Sequence, residues 1–248
     1  MDLSDAALLA AAGLAAGGVN AVAGGGSLVT FPALVAVGLP PVAANVTNSI
    51  AVSPGYLASI VGSRADLAGQ RGRVLRLLPA AMVGSATGCA LLLVTPERAF
   101  ELVVPFLVLA ASATLAFKDR LQRRTGRVAS PVVPHLTVGL CAVYGGYFGA
   151  ALGVMLVAAL SVVFGDTLAR VSAAKNVLSA VIGLVTVAAF AAFGPVDWVA
   201  VAVIAPAALV GGYAGARLAR RLPPALWRAG IVTFGVAIGL LLLVRALT

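Results

Sequence analysis

Charge is scarce in this 248-residue chain: Asp, Glu, Lys and Arg make up 10% of it, against about 25% in an ordinary soluble domain. That is too little to coat a water-facing surface of this size. Acidic residues are rarest, and none lies deep in an apolar run. Asp66, Glu97, Glu101, Asp119, Asp166 and Asp197 all fall in loops or near segment ends, so a buried carboxylate proton relay or a carboxylate-walled cation site has no residues to build it. Cys89 and Cys141 are the only cysteines and stand among small apolar neighbours. Two thiols without partners make no zinc site, and packing is their reading. The single His135 has no Ser, Asp or Cys at catalytic spacing. No Walker loop, HExxH or GxSxG occurs, so the sequence suggests no enzyme, no cofactor and no metal.

What the chain has instead is apolar length. Of its residues 61% are apolar before 28 glycines are added, and uncharged runs recur that can cross a hydrocarbon core about 30 Å thick as helices. The fold class is an all-α polytopic membrane protein whose partner is the lipid bilayer. Helices are expected at 44–62, 74–94, 99–117, 171–192, 198–216 and 228–247. Stretches 6–38 and 132–164 are too long for one crossing and short for two. Each holds a glycine cluster, Gly24, Gly25 and Gly26 in the first and Gly145, Gly146 and Gly149 in the second. Each is read as two short helices broken at membrane depth, entering and leaving by the same side.

The net charge of +9 comes from loops: Arg64, Arg71, Arg73 and Arg76; Lys118, Arg120, Arg123, Arg124 and Arg127; and Arg217, Arg220, Arg221 and Arg228. Cytoplasmic loops are enriched in this way. Without an aromatic or Gly-rich reading module, nucleic acid is not a partner. Placing these loops inside, and the loops at 95–97 and 193–197 outside, puts both termini outside by parity. The opening Met1-Asp2-Leu3-Ser4-Asp5 is acidic where a signal peptide would be basic, so no cleavable signal is expected.

An offset of 128 places Gly18 on Gly146, Gly25 on Gly153, Asn48 on Asn176 and Gly55 on Gly183. An offset of 127 continues with Pro79, Gly84 and Gly88 on Pro206, Gly211 and Gly215. Equivalent loops fall on opposite sides, which makes the copies inverted. The expected architecture is two inverted-topology repeats, each a broken-helix hairpin plus three transmembrane helices. The N-terminal repeat spans 1–117, a basic cytoplasmic linker 118–130 and the C-terminal repeat 131–248. Such pairs place a substrate site near the midplane, at broken helices.

A helix starting near Ser27 would present free N–H groups and a positive dipole end to an anion, with Ser27 as N-cap or ligand. Close helix packing is the other reading of Gly24, Gly25 and Gly26. Asn48 and Asn176 must have their amides satisfied in apolar helices, by a substrate or by each other's neighbours. Lys175 either faces a cavity and attracts an anion, or snorkels to the interface.

Ala23-Gly24-Gly25-Gly26-Ser27-Leu28-Val29-Thr30-Phe31-Pro32-Ala33-Leu34, with Gly38-Leu39-Pro40-Pro41 and Ala43-Ala44-Asn45-Val46-Thr47-Asn48, resembles the opening motif of the TauE/SafE (TSUP) sulfite exporter-like permeases. Ser172-Ala173-Ala174-Lys175-Asn176-Val177-Leu178 and the Pro206 to Gly215 spacing are similar to that family too. Where many members repeat Gly-x-Gly-Gly, this chain has Leu152-Gly153-Val154-Met155. The resemblance implies a multi-pass transporter of the bacterial inner membrane, exporting small sulfur-containing or organic anions such as sulfite or sulfonates. An anion would bind at Gly24, Gly25, Gly26, Ser27, Thr47, Asn48, Gly153, Lys175 and Asn176, with alternating access between the halves. The competing expectation is a non-transporting membrane subunit or small membrane enzyme in which these residues only pack. The identity of the anion, ion coupling and homo-oligomerisation stay open at this point.

Overall fold

The computed structural model describes residues 2–22, 25–117, 120, 130, 132–218 and 224–247. Among them there is no strand. The helices are α1 (Leu3–Val22), α2 (Ser27–Ala36), α3 (Pro41–Val52), α4 (Pro54–Gly62), α5 (Arg71–Val94), α6 (Glu97–Ala116), α7 (Val132–Tyr147), α8 (Leu152–Phe164), α9 (Leu168–Phe193), α10 (Trp198–Leu218) and α11 (Pro224–Leu247). The expected linker at 118–130 lies almost wholly outside the described residues.

Local chemistry sets the boundaries. α2 ends in a Schellman motif: Gly38 takes φ +93°, its N–H reaches Val35 O, and Leu39 N–H reaches Leu34 O at 3.1 Å. Pro41 then opens α3, where its missing N–H costs nothing. The Thr167 side chain caps α9 by accepting from Arg170 N.

Three expectations need correction. The helix expected at 44–62 is two, α3 and α4, because Pro54 supplies no N–H and the chain turns at Ser53. The first interrupted stretch is not a pair of short helices. α1 has 20 residues, enough to cross, while α2 has 10 and spans only about 15 Å. The second break lies at 148–151, so Gly145 and Gly146 belong to α7 and only Gly149, with φ +73°, belongs to the break.

Short helices fill the centre. Most side chains of α2 and α3 are buried, as is much of α8 and of the longer α9. Around them, α1 packs on α10, α5 on α7 and α6 on α11. Their outward faces carry exposed apolar residues such as Met82, Val83, Phe106, Leu140, Val210 and Leu241, the inside-out pattern that lipid permits. Four helices, within α1, α5, α6 and α9, are long and apolar enough to cross a membrane among the described residues.

Glycine sets the closest approaches. A Cβ on Gly17 would stand 2.0 Å from Ala208 O, and one on Gly88 2.1 Å from Val143 O. The backbones of α1 and α10, and of α5 and α7, therefore touch directly, as small residues allow between membrane helices. Contacts also give the relative directions. Gly235 faces Ser112 while Gly239 faces Leu109, so α6 and α11 run antiparallel. Asn176 meets Ser59 and Ser63, Gly183 meets Tyr56 and Ser53, and Asp197 meets Thr47, so α9 runs antiparallel to α3 and α4.

Candidate functional site

A small cavity of about 20 Å³ lies where the two breaks meet α9. That is room for a water or two. Ser27, the first residue of α2, lines it, with Ser49, Val52 and Ser53 from α3 and its turn, and Tyr56 from α4. Gly145, Phe148 and Gly149 close it from the end of α7, Leu152 from the start of α8, and Ile182, Gly183 and Thr186 from mid-α9. The N-termini of both short helices therefore reach one cavity, and no charged side chain lines it.

The first break is held by a residue that sequence reasoning passed over. Asn20 Oδ1 accepts from Gly26 N at 2.8 Å, and a Cβ on Gly26 would lie 2.4 Å from Ala16 O. Gly26, not Ser27, is the cap residue of α2 and makes no side-chain cap bond. Leu28 N and Val29 N turn back to Gly25 O and Gly26 O, so few of the expected free amides remain. The second break carries backbone strain: Ala151 takes φ 56° at the start of α8, a region that costs an L-residue about 1–2 kcal/mol. Such strain concentrates at ligand sites and switch regions.

Of the nine anion-binding candidates, Ser27 is on the cavity wall. Gly24 lies outside the described residues. Gly25 is buried against Leu115, and Gly153 stands one residue beyond the lining Leu152. Thr47 Oγ1 accepts from Asp197 N at 3.0 Å, holding the 194–197 loop to α3. Asn48 Oδ1 accepts from Thr30 Oγ1, joining α3 to α2. Asn176 Nδ2 donates to Ser59 O at 3.1 Å and Ser63 Oγ at 2.9 Å, joining α9 to α4. Lys175 is half-buried and is not among the lining residues. The hydroxyl wall of Ser49, Ser53, Tyr56 and Thr186 was missed. Its signal was Ser53-Pro54, a break in the third segment that the apolar count ran straight through.

Donor direction limits what this wall does. Ser49 donates to Asn45 O, Ser53 to Ser49 O and Thr186 to Ile182 O, so each offers lone pairs until its hydroxyl rotates. These back-bonds are weak competitors of helix bonding, and an oxyanion can draw the hydrogens outward.

A second polar cluster sits at the basic end. Asp166 bonds Arg73 at 2.9 Å and Arg170 at 3.0 Å, and Arg73 lies 3.8 Å over the Phe164 ring. Buried Gln70 donates to Asp66 O and Arg170 O. Desolvation alone would raise the Asp166 carboxyl. Hydrogen bonds from Arg73, the Thr167 backbone and Arg170 outweigh it and hold the group below its ordinary value. Among the described residues, no three His, Cys, Asp or Glu side chains come together as metal ligands.

The pattern that defines sulfite exporter TauE/SafE proteins matches residues 9–242, which takes in every lining residue of the cavity. The chain belongs to this family. It is 28% identical over 214 residues to a probable membrane transporter protein of Haemophilus influenzae, covering 86% of this chain and 84% of the relative. It is 29% identical over 210 residues to the probable membrane transporter protein YfcA of Escherichia coli K12, covering 84% and 76%. A probable membrane transporter protein of Sinorhizobium, ORF9, is 25% identical over 244 residues, covering 96% and 92%. No solved structure matches the chain. A TauE/SafE chain is a membrane transporter, and the apolar belt and discontinuous helices described above are those of a polytopic membrane protein.

Proposed function

We propose that this TauE/SafE chain is a secondary transporter, in the export direction, of small sulfur-containing or organic anions such as sulfite or sulfonates. The observation that carries the reading is the convergence of two short-helix N-termini, Ser27 from the first half and Leu152 from the second, on one hydroxyl-lined cavity. Helix N-termini favour negative charge, and the rotatable hydroxyls of Ser49, Ser53 and Thr186 supply donors without a fixed positive charge that would trap the anion. With the cytoplasm negative, each unit of negative charge leaving gains about 2.3 kcal/mol per 100 mV, so export runs without another fuel.

The antiparallel pairing of α6 with α11, and of α3 and α4 with α9, supports two inverted halves bounded as 1–117 and 131–248. Alternating access then follows as rocking of one half against the other around the cavity. The basic loops lie inside and both termini outside in this arrangement. The rival reading, a non-transporting subunit, is favoured by one observation: Thr47, Asn48 and Asn176 all hydrogen-bond to other elements of the fold.

Counterflow in liposomes decides between them, with sulfite, thiosulfate, taurine and acetate as the panel. Flux of at least one, reduced by Ser53→Ala, is expected. No flux of any would sink the transporter reading.

A further inference from the structure

The cavity is not the end of the polar surface. Ser49, Ser53, Tyr56 and Ser63 recur at near-helical spacing along α3, α4 and the turns that end them, and Thr186, Gly183, Ser179 and Asn176 recur likewise along α9, where Thr186 also meets Ser85 and Cys89 of α5. Registration is fixed at both ends: Gly183 opposes Ser53 and Tyr56, and Asn176 bonds Ser59 and Ser63. Ser179 therefore falls opposite the turn between Tyr56 and Ser59, one helical turn beyond the cavity toward the Arg64, Arg71 and Arg73 end.

Ser179 differs from its neighbours. It is 1% exposed, and its Oγ has no hydrogen-bond partner among the described residues. Ser49, Ser53, Ser63 and Thr186 all donate to a carbonyl of their own helix. A buried hydroxyl left unpaired destabilises a fold, so packing does not account for it. Ser59 and Ser63, the hydroxyls across the seam, already donate to carbonyls of their own segment, so the uncommitted Ser179 O–H is a donor waiting for an acceptor.

We infer that the α4–α9 seam is the route between the cavity and the basic end, and that Ser179 is a second binding station on it for the oxyanion of a small sulfonate-like solute. This rests on the transporter reading above. The seam brings the anion from an end where Arg64, Arg71, Arg73, Arg76 and Arg170 raise its local concentration. Ser179 Oγ–H donates to it before the cavity does.

Thiol labelling of the full chain in proteoliposomes tests this, after Cys89→Ala and Cys141→Ala remove the free cysteines. The probes are the anionic reagent 2-sulfonatoethyl methanethiosulfonate, itself a sulfonate, and its trimethylammonium counterpart. Ser179→Cys is isosteric and should label with the anionic reagent. It should favour that reagent once both rates are normalised to free cysteine. Ser63→Cys, whose Oγ meets Asn176 Nδ2 across the same seam, is a second position should the first not fold. Leu178→Cys, fully buried among the apolar core on another face of α9, should stay unlabelled. Labelling at Ser53→Cys with inertness at both seam positions overturns the route and leaves the cavity reading intact. Inertness at Ser53→Cys as well brings down both. Equal labelling at Leu178→Cys overturns the route as well, by showing non-specific access.

Discussion

Gly183 leaves the space that the Tyr56 ring occupies: a Cβ built there lies 3.0 Å from Tyr56 Cδ2 and 3.3 Å from Ser53 Oγ. Two effects oppose each other in Gly183→Ala. Alanine gains roughly 0.5–1 kcal/mol of helix stability over glycine in a helix interior. Against that, the ring must give by a few tenths of an ångström, and a flexible side chain at a cavity edge can do so. The new methyl meanwhile intrudes on a cavity of about 20 Å³. Thermal unfolding in detergent should therefore show equal or higher stability, and flux in liposomes should fall sharply. A variant that loses stability and flux together would mean that Tyr56 cannot move.

Asn48 and Thr30 form a buried pair joining α3 to α2. Asn48→Ala leaves the Thr30 hydroxyl with only a long 3.4 Å contact to Gly26 O. It should destabilise the protein by about 1–3 kcal/mol, the cost of an unsatisfied buried polar group. Adding Thr30→Ala should recover part of that loss, giving a coupling of about 0.5–3 kcal/mol in a double-mutant cycle. Flux should decline only in proportion to the folded fraction. A specific loss of flux at full stability would return Asn48 to the substrate site.

Asn48 also shows where sequence reading stops. An asparagine in an apolar helix announces that it needs partners, but Thr30 is 18 residues away and Ser63, the partner of Asn176, is 113 away. Distances of that kind are set by packing and leave no local periodicity. The helix order, the two interruptions and the start of α2 at Ser27 were legible, because glycine clusters and apolar length act locally. The turn at Ser53 had a local cause in Pro54, yet a window that averages hydropathy passes over one proline. The hydroxyl wall was least legible, since serine in a membrane helix usually bonds its own backbone and looks inert until two helices are superposed.

Gly17 and Gly55 separate the two uses of glycine. A Cβ at 17 would meet Ala208 O at 2.0 Å and Gly212 N at 2.6 Å, both backbone, whereas one at 55 meets nothing within 4 Å. Backbone atoms of a packed helix pair cannot yield without separating α1 from α10. Gly17→Ala should cost about 3 kcal/mol or more, at the upper end for overpacking. Gly55→Ala should be neutral or stabilising by up to about 1 kcal/mol. Folded yield on size exclusion together with unfolding temperature measures both. Similar values for the two would contradict the close approach of α1 and α10.

Asp166 ties the start of α9 to the start of α5 through Arg170 and Arg73. Its folded-state carboxyl sits below the ordinary value of 3.8. The sign follows from linkage: a depressed acid stabilises the fold fully above its unfolded value, and that contribution fades as pH falls through the folded value. The pair is partly exposed, so salt weakens it. Unfolding measured from pH 6 down to about 3 should show wild-type stability dropping at the acid end, and Asp166→Asn should remove that part of the slope. Near neutral pH the Asn variant should already be the less stable of the two, with the gap narrowing in high salt. A gap that widens on acidification would reverse the sign and mean that the carboxyl is held protonated.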